Sequence, residues 1–255
     1  MNALATPPDL TEGLDKCSGC PIRNRAVCSY SSPAELVALD AAKFYRDYEP
    51  GQEIVGEGQP TAFVGSVVSG VVALYKLLED GRRQMVGLLF ASDFIGRPMR
   101  SLAPFDAVAI TPVRMCQFKR SQFEVLLAES RSLERRLLEM TLDELDASRA
   151  WMLLLGRKTA REKLASFLLM LARRTAALGN NPMRPGMQVQ NPLTRETIAD
   201  FLGLTIETVS RQFTNLKSEG VLDLPSRQDV ILRDPAELMR LAGEDDLDES
   251  DLASA

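Results

Sequence analysis

The hydrophobic pattern of the chain changes character along its length, and the changes mark predicted structural regions. From about residue 43 to residue 119, short apolar and β-branched runs alternate with Gly, Pro and Asp corners at even spacing. This pattern is typical of a small antiparallel β-barrel or jelly roll. From Ser121 to Gly156 the period becomes helical and good helix formers dominate, so one long helix is predicted there.

The predicted long helix carries two apolar stripes, and one small barrel cannot cover both. We expect one stripe to pack on the barrel of the same chain and the other on a second copy, which makes the protein a homodimer. The alternative is a single buried core helix. The stripe on the barrel consists of Leu133, Leu137, Met140, Ala147, Trp151 and Leu154. The predicted dimer-interface residues are Leu138, Leu145, Ser148, Met152 and Leu155.

A helix-turn-helix is predicted near the other end of the chain. Thr194 and Thr205 are placed to cap its two helices, and Gly203 provides the left-handed backbone that the turn requires. Apolar residues recur at i, i+4 and i+7 along the second helix and are expected to face inward. The outward positions are polar and can reach base edges in a major groove, although a solvated helix face is the alternative. They are Glu207, Ser210, Arg211 and Thr214.

The side chains and charge of this region suit DNA. Arg211 can donate two hydrogen bonds to a guanine, and Glu207 can accept one from the amine of a cytosine. A hairpin after the second helix is predicted to form a wing, with Arg227 at its tip as a candidate phosphate contact. The whole chain has a net charge of −5, but residues 156–235 contain 12 basic and 8 acidic groups, a net of +4. Only this block favours binding to a phosphate backbone.

Three of the four cysteines lie within twelve residues, at Cys17, Cys20 and Cys28, and Cys116 belongs to the predicted barrel. The chain has no membrane-spanning run and no signal-peptide pattern, so we expect a cytoplasmic protein without membrane contact. Thiols stay reduced in that compartment, and a Cys-x-x-Cys pattern there suggests metal or redox chemistry. Because histidine is absent, the residues leave open a thiolate-bound cluster, a structural zinc ion, and free or disulfide-forming thiols.

The chain resembles the CRP/FNR family of bacterial transcription regulators over nearly its whole length. Glu207, Ser210 and Arg211 match the Glu-x-x-Ser-Arg motif of the FNR branch, and Gln212 departs from the apolar residue usual in relatives. The resemblance implies an α+β fold: an N-terminal antiparallel β-barrel like cyclic-nucleotide-binding domains, a long dimerisation helix and a C-terminal winged helix-turn-helix. It also implies binding to a double-stranded DNA operator with inverted TTGAT-like half-sites, and contact with RNA polymerase.

The resemblance extends to the thiols. FNR-type oxygen sensors hold a 4Fe–4S cluster with three N-terminal cysteines and one in the barrel, and Cys17, Cys20, Cys28 and Cys116 match that layout with a longer last gap. The resemblance thus implies an activator, not an enzyme, that binds its operator at low oxygen. A structural zinc ion, a nitric-oxide-responsive cluster and, last, an iron–sulfur redox enzyme are the alternatives.

The cyclic-nucleotide branch of the family is not expected to include this chain. Its phosphate-binding loop carries a glutamate after glycine, whereas here Arg97 and Pro98 follow Gly96, and no carboxylate remains for a ribose hydroxyl. Cyclic AMP is therefore rejected as the effector. The predicted domains are a cluster-binding arm (1–31), a barrel (32–120), the dimerisation helix (121–156), the winged helix-turn-helix (157–235) and an acidic tail (236–255). Residues 1–16 are expected to be mobile, and the chain from Gly243 is expected to be disordered.

Overall fold

The computed structural model describes residues 17–179 and 182–244, and the chain forms two compact units, Met1–Asp146 and Ala147–Ala255. The predicted fold class is confirmed: an antiparallel β-roll, a long helix and a winged helix-turn-helix follow one another along the chain. The expectation of a mobile lead at 1–16 lies outside the described residues. So does the expected disorder from Gly243, except at its first two residues: Gly243 caps the last helix and Glu244 pairs with Arg173.

Within the described residues, eight strands form the N-terminal roll. They are β1 (Lys43–Tyr48), β2 (Glu53–Val55), β3 (Phe63–Ser69), β4 (Val72–Leu77), β5 (Arg83–Leu89), β6 (Phe94–Ile95), β7 (Asp106–Ala109) and β8 (Val113–Lys119). One antiparallel sheet has the order β1-β8-β3-β6 and the other has the order β2-β7-β4-β5. The predicted alternation of short strands and tight corners over residues 43–119 is confirmed.

The two sheets enclose one apolar core, to which all eight strands contribute buried residues. Met115 of β8 is fully buried in this core. Successive side chains of a strand point to opposite faces. Cys116 therefore points to the other face of its sheet, where it packs with residues of the N-terminal arm.

The helices are α1 (Pro33–Ala42), α2 (Arg120–Glu129), α3 (Arg131–Arg157), α4 (Ala160–Gly179), α5 (Arg195–Leu202), α6 (Ile206–Ser218) and α7 (Pro235–Ala242). The prediction of one helix over 121–156 is wrong, because the chain breaks at Ser130 into α2 and α3. Ser130 is extended, at φ −120° and ψ 104°, and its hydroxyl accepts a hydrogen bond of 3.1 Å from the Leu133 N–H. A serine side chain in this position replaces a backbone partner and starts a new helix. The predicted dimerisation helix, α3, therefore begins at Arg131.

The C-terminal unit surrounds the predicted helix-turn-helix with α4, α7 and a small sheet. Strands β9 (Gln188–Gln190), β10 (Leu222–Asp223) and β11 (Asp229–Leu232) pair in the order β10-β11-β9, so the predicted wing gains a third strand. The predicted tail boundary at residue 236 is wrong. Asp234 caps α7, Pro235 starts it, and Leu238 and Ala242 are buried. No helix of the described chain combines the length and the apolar character needed to cross a bilayer.

Candidate metal centre and nucleic-acid interface

The segment that carries Cys17, Cys20 and Cys28 is a series of tight turns packed on the outer face of the roll. Its apolar side chains, rather than its thiols, anchor it. Ile22 and Ala26 are buried and pack against Val68 of β3. The half-buried Cys20 and Cys28 border this cluster, as does Cys116. The fold therefore brings the N-terminal thiols to the same face of the sheet as the barrel thiol.

Cys116 occupies a central position in its sheet. Its strand β8 lies between β1 and β3, and in the strand register Cys116 is opposite Tyr45 on one side and Ser66 on the other. Burial raises the pKa of the Cys116 thiol, and the charges of Cys20, Cys17 and Cys28 raise it further. Each of the three arm thiols therefore affects the pKa of Cys116. No disulfide joins these four cysteines, all of which are described.

Two cations compensate for the burial of the thiols. Burial raises the pKa of Cys17 to about 11, and the Lys43 ammonium opposes this rise. Burial also raises the pKa of Cys28, and the Arg23 guanidinium acts in the opposite direction. At neutral pH these thiols carry their protons unless a bound metal displaces them.

Lys43 lies beside the thiols although no motif in the sequence marks it. Its side chain is only 5% exposed, and its ammonium pairs with the Asp40 carboxylate. The same carboxylate oxygen accepts a hydrogen bond of 2.8 Å from the backbone N–H of Cys17. Lys43 and Tyr45 lie on the same face of β1, next to Cys116. The proximity depends on the pairing of β1 with β8, which local sequence does not reveal.

Arg23 holds the loop between Cys20 and Cys28 in shape. Its guanidinium donates to the carbonyl oxygens of Cys28 at 2.7 Å, Ser29 at 2.9 Å and Ser31 at 3.0 Å. One side chain thus satisfies three backbone acceptors that no strand or helix partners. The loop is held by a charged donor at its centre, and such hydrogen bonds are stronger than neutral ones.

Four cysteine thiols are the donor set of either an iron–sulfur cluster or a structural zinc ion. Among the described residues, no group of three or more His, Cys, Asp or Glu side chains is close enough to hold a metal ion. A tetrahedral zinc site needs sulfurs within about 4 Å of one another, because each Zn–S bond is about 2.3 Å. A 4Fe–4S cluster is wider and binds each of four cysteines through a different iron. Cluster binding by Cys17, Cys20, Cys28 and Cys116 stays a prediction.

The helix-turn-helix has the caps and turn that the sequence predicted. The Thr194 hydroxyl accepts from the Thr197 N–H at 3.1 Å, and the Thr205 hydroxyl accepts from the Thr208 N–H at 3.2 Å. Gly203 has φ 61° and ψ 45° at the end of α5. Both helices therefore start and stop through contacts between neighbouring residues.

The recognition helix α6 has the two predicted faces. Val209, Phe213 and Leu216 are buried, whereas the polar set predicted to read bases is exposed. That set is Glu207, Ser210, Arg211 and Thr214. Its base-reading roles stay predictions.

Two of these exposed side chains have their hydrogen bonding set by α6 itself. Hydrogen bonds from its own backbone N–H and from the Thr205 hydroxyl lower the pKa of Glu207, so this residue is an ionised acceptor. Thr214 donates its hydroxyl to the Ser210 carbonyl at 3.1 Å and keeps only its acceptor capacity toward a base.

One residue of the exposed face was not predicted from the sequence. Ile206, the first residue of α6, is 44% exposed beside Glu207. An exposed apolar side chain at this end of a recognition helix can contact a thymine methyl group. Arg227 is exposed in the turn between β10 and β11, where the Ser226 hydroxyl bonds Asp229 at 2.7 Å. Its role as a phosphate contact stays a prediction.

The predicted dimer stripe on α3 is largely exposed. Leu138 is 59% exposed, Leu145 is 45% and Met152 is 65%, and Ser148 is exposed with them. Leu155 is half-buried, and its Cδ2 lies 3.7 Å from the place that a Cβ on Gly203 would occupy. The role of all five residues in a dimer interface stays a prediction.

The other stripe of α3 divides between the two units. Leu133, Leu137 and Met140 pack on the roll, as predicted. The prediction that the rest of the stripe packs on the barrel is wrong, because Trp151 stacks on Phe201 of α5.

The cavity beside the loop at residues 94–98 is small. The cavity there, lined by Ile95, Gly96, Arg97, Arg100 and Phe105 among others, has a volume of about 10 Å³. Pockets for small ligands are typically about 300–1,000 Å³, whereas about 10–15 Å³ holds one water.

Both units match known families. Residues 45–130 match the cyclic nucleotide-binding domain family, and residues 162–241 match the Crp-like helix-turn-helix domain family. The chain is 52% identical to the transcriptional activator protein FnrL of Cereibacter sphaeroides, over 91% of this chain and 94% of that protein. It is 40% identical to the nitrogen fixation regulation protein FixK of Bradyrhizobium diazoefficiens, over 89% and 93% of the two chains. The solved structure of FixK2 from Bradyrhizobium japonicum is similar with a TM-score of 0.69 at 36% identity, over 78% of this chain and 96% of that one.

Proposed function

Since the chain belongs to the CRP/FNR family of transcription regulators, we propose that it is an oxygen-responsive member that binds a 4Fe–4S cluster. As a homodimer it binds an operator of inverted TTGAT-like half-sites at low oxygen. Its relatives already identify the chain as a DNA-binding transcriptional activator of the FNR/FixK type and not an enzyme.

One packing relationship carries the proposal. Val27 and Cys28 of the arm, Cys116 of β8, and the α3 residues Leu133 and Leu137 share a single apolar cluster. A movement of Cys28 or Cys116 therefore displaces side chains at the start of α3 directly, because no other element lies between them. Packed side chains transmit such changes because protein interiors have few voids.

The residues of this chain have distinct parts in the proposed centre. Cys17, Cys20, Cys28 and Cys116 would hold the cluster, which supplies oxygen-sensitive redox chemistry when bound. Lys43 places a positive charge beside the resulting negative centre. Arg23 and the buried Ile22 keep the arm folded around it.

The trigger acts on pairing of the subunits. Asp143, Glu144 and Asp146 lie along the exposed part of α3, and their like charges oppose the approach of a second α3. An ordered arm that favours the paired state by a coupling of about 1–3 kcal/mol shifts the dimer equilibrium by 5- to 150-fold. Two recognition helices about 34 Å apart then reach both half-sites, which a monomer cannot do.

No nucleotide effector enters this scheme. The cavity of about 10 Å³ beside Arg97 supports the proposal that cyclic nucleotides are not bound. RNA polymerase is the proposed protein partner. The exposed turn between β4 and β5, in which Arg82 pairs with Asp80, is the proposed contact surface on the roll.

Anaerobic purification tests the proposal. The protein should show a broad visible absorbance that air bleaches, with about four irons and four sulfides per chain. Exposure to air should convert dimer to monomer and lower the affinity for the operator. Stoichiometric zinc in place of iron would indicate a structural metal site and contradict the sensor. Bleaching that leaves the dimer and the operator affinity unchanged would overturn the mechanism. Bleaching by nitric oxide but not by air would identify nitric oxide, rather than oxygen, as the signal.

A further inference from the structure

Arg136 of α3 contacts the thiol loop at its backbone. Its Nη2 donates a hydrogen bond of 2.8 Å to the carbonyl oxygen of Arg25, which lies between Cys20 and Cys28. The two residues are 111 positions apart in the sequence. A charged donor on the dimerisation helix therefore holds the loop that carries two of the four thiols.

The same guanidinium also contacts the chain after Cys28. The Arg136 Cζ lies 5.5 Å from the centroid of the Tyr30 ring, a cation–π distance. The Tyr30 hydroxyl bonds Glu139, one turn further along α3, and lowers the pKa of that carboxyl. Arg136 thus touches the loop on both sides of Cys28.

The loop can respond to Arg136 as one body because it is internally braced. Arg23 bonds the carbonyls of Cys28, Ser29 and Ser31, and Ala26 and Val27 are 1% exposed. On the helix side, the exposed dimer stripe begins at Leu138, two residues after Arg136. Arg136 therefore joins the backbone of the loop directly to α3 at the start of the predicted dimer face.

Arg135 is a natural comparison for Arg136. Its Cζ lies 5.9 Å from the same Tyr30 ring, and its Nε pairs with Glu139 at 3.0 Å. It has the same charge and a neighbouring position. The hydrogen bond to the loop backbone at Arg25 is made by Arg136.

We propose that Arg136 is the positioning residue that couples the thiol loop to subunit pairing. Substituting it separates cluster binding from dimerisation without removing either. The inference rests on the proposed function and identifies the residue through which that function acts.

The test compares R136Q with R135Q in the full-length protein. The dimer dissociation constant of each is measured by anaerobic sedimentation with the cluster present and after its removal, and the visible spectrum and iron content are recorded. Wild type and R135Q should show the same cluster-dependent ratio, within the roughly 5- to 150-fold range of such couplings. R136Q should retain iron and show a ratio near one. A ratio in R136Q equal to that of wild type would overturn the proposal.

Hydrogen exchange of the metal-free protein provides a second readout that needs no cluster. R136Q should speed amide exchange in residues 20–31 and in residues 134–140 together, whereas R135Q should not change the loop. If R136Q fails to retain iron, this paired change still supports the link, and faster exchange in only one segment overturns it. If the dimer dissociation constant of the wild type is the same with and without the cluster, the proposed function is wrong. The exchange experiment then still tests the contact.

Discussion

Trp151 stacks on Phe201, with ring centroids 3.8 Å apart and planes 18° from parallel. Phe167 of α4 meets Phe201 in an edge-on contact at 6.0 Å. The last turns of α3 thus belong to the core of the DNA-binding unit. Because Trp151 is the only tryptophan of the chain, its fluorescence reports on this contact.

Replacing Phe201 with leucine should loosen the C-terminal unit. The substitution removes the stacked pair and leaves a gap, so we expect the free energy of unfolding to fall by about 1–2 kcal/mol. The emission of Trp151 should shift to longer wavelength as the indole ring becomes more exposed to water. Urea unfolding followed by fluorescence measures both effects. Phe44→Leu, on the exposed side of β1, is the matched control, and an equal shift in that variant would contradict the explanation.

Replacing Cys116 with alanine should remove the cluster and leave the roll folded. The thiol is half-buried among apolar side chains, which tolerate a methyl group. We expect iron content to fall toward zero, and anaerobic operator affinity to fall to that of the air-treated wild type. Ser66→Ala, directly opposite on β3, should retain iron. Full iron in Cys116→Ala would show that this residue is not a ligand.

Replacing Lys43 with methionine should make the cluster easier to lose. Methionine keeps the length and apolar stem of lysine, but it removes the buried positive charge beside a negative centre. We expect the visible absorbance to bleach severalfold faster in air. Lys76→Met removes an ion pair with Glu57 on the exposed part of β4 and serves as the comparison. Equal bleaching rates in the two variants would mean that the charge of Lys43 has no special effect.

Replacing Arg211 with alanine should relax base specificity. Loss of a two-bond contact to guanine costs about 1–3 kcal/mol of discrimination at one base pair. Gel-shift titrations with operators altered at the guanine of each half-site measure this loss. The variant should bind altered and unaltered operators alike. A uniform loss across all sequences would instead assign Arg211 to the phosphate backbone.

Replacing Arg227 with alanine should weaken binding to every sequence equally. A cation bound to a phosphate releases counterions, so the slope of log affinity against log salt should become less negative by about 0.9 for each phosphate that is no longer neutralised. Affinities measured at several salt concentrations give this slope. An unchanged slope would show that the wing tip does not touch the backbone.

Most features with local determinants could be predicted from the sequence, and features with distant determinants could not. The helix-turn-helix was predicted residue by residue, because its caps and turn lie within a few positions of Thr194, Gly203 and Thr205. The break at Ser130 was missed although its cap on the Leu133 N–H is local, because good helix formers surround it; the Glu35 carboxylate that its hydroxyl also bonds is 95 residues away. Lys43 was missed because its place beside the thiols depends on the pairing of β1 with β8. Helix α7 did carry a local signal, an Asp–Pro start, which the acidic composition of the tail obscured.

The two threonine caps of the helix-turn-helix have a further consequence. Every contact that starts or stops α5 and α6 comes from the C-terminal unit itself, so the surface offered to the bases is complete before any signal arrives. Under the proposed function, substitutions from Ile206 to Arg211 therefore change the operator that is bound without changing the response to oxygen, and substitutions in the arm change the response without changing the operator. Promoter choice and environmental response can diverge independently among descendants of this chain.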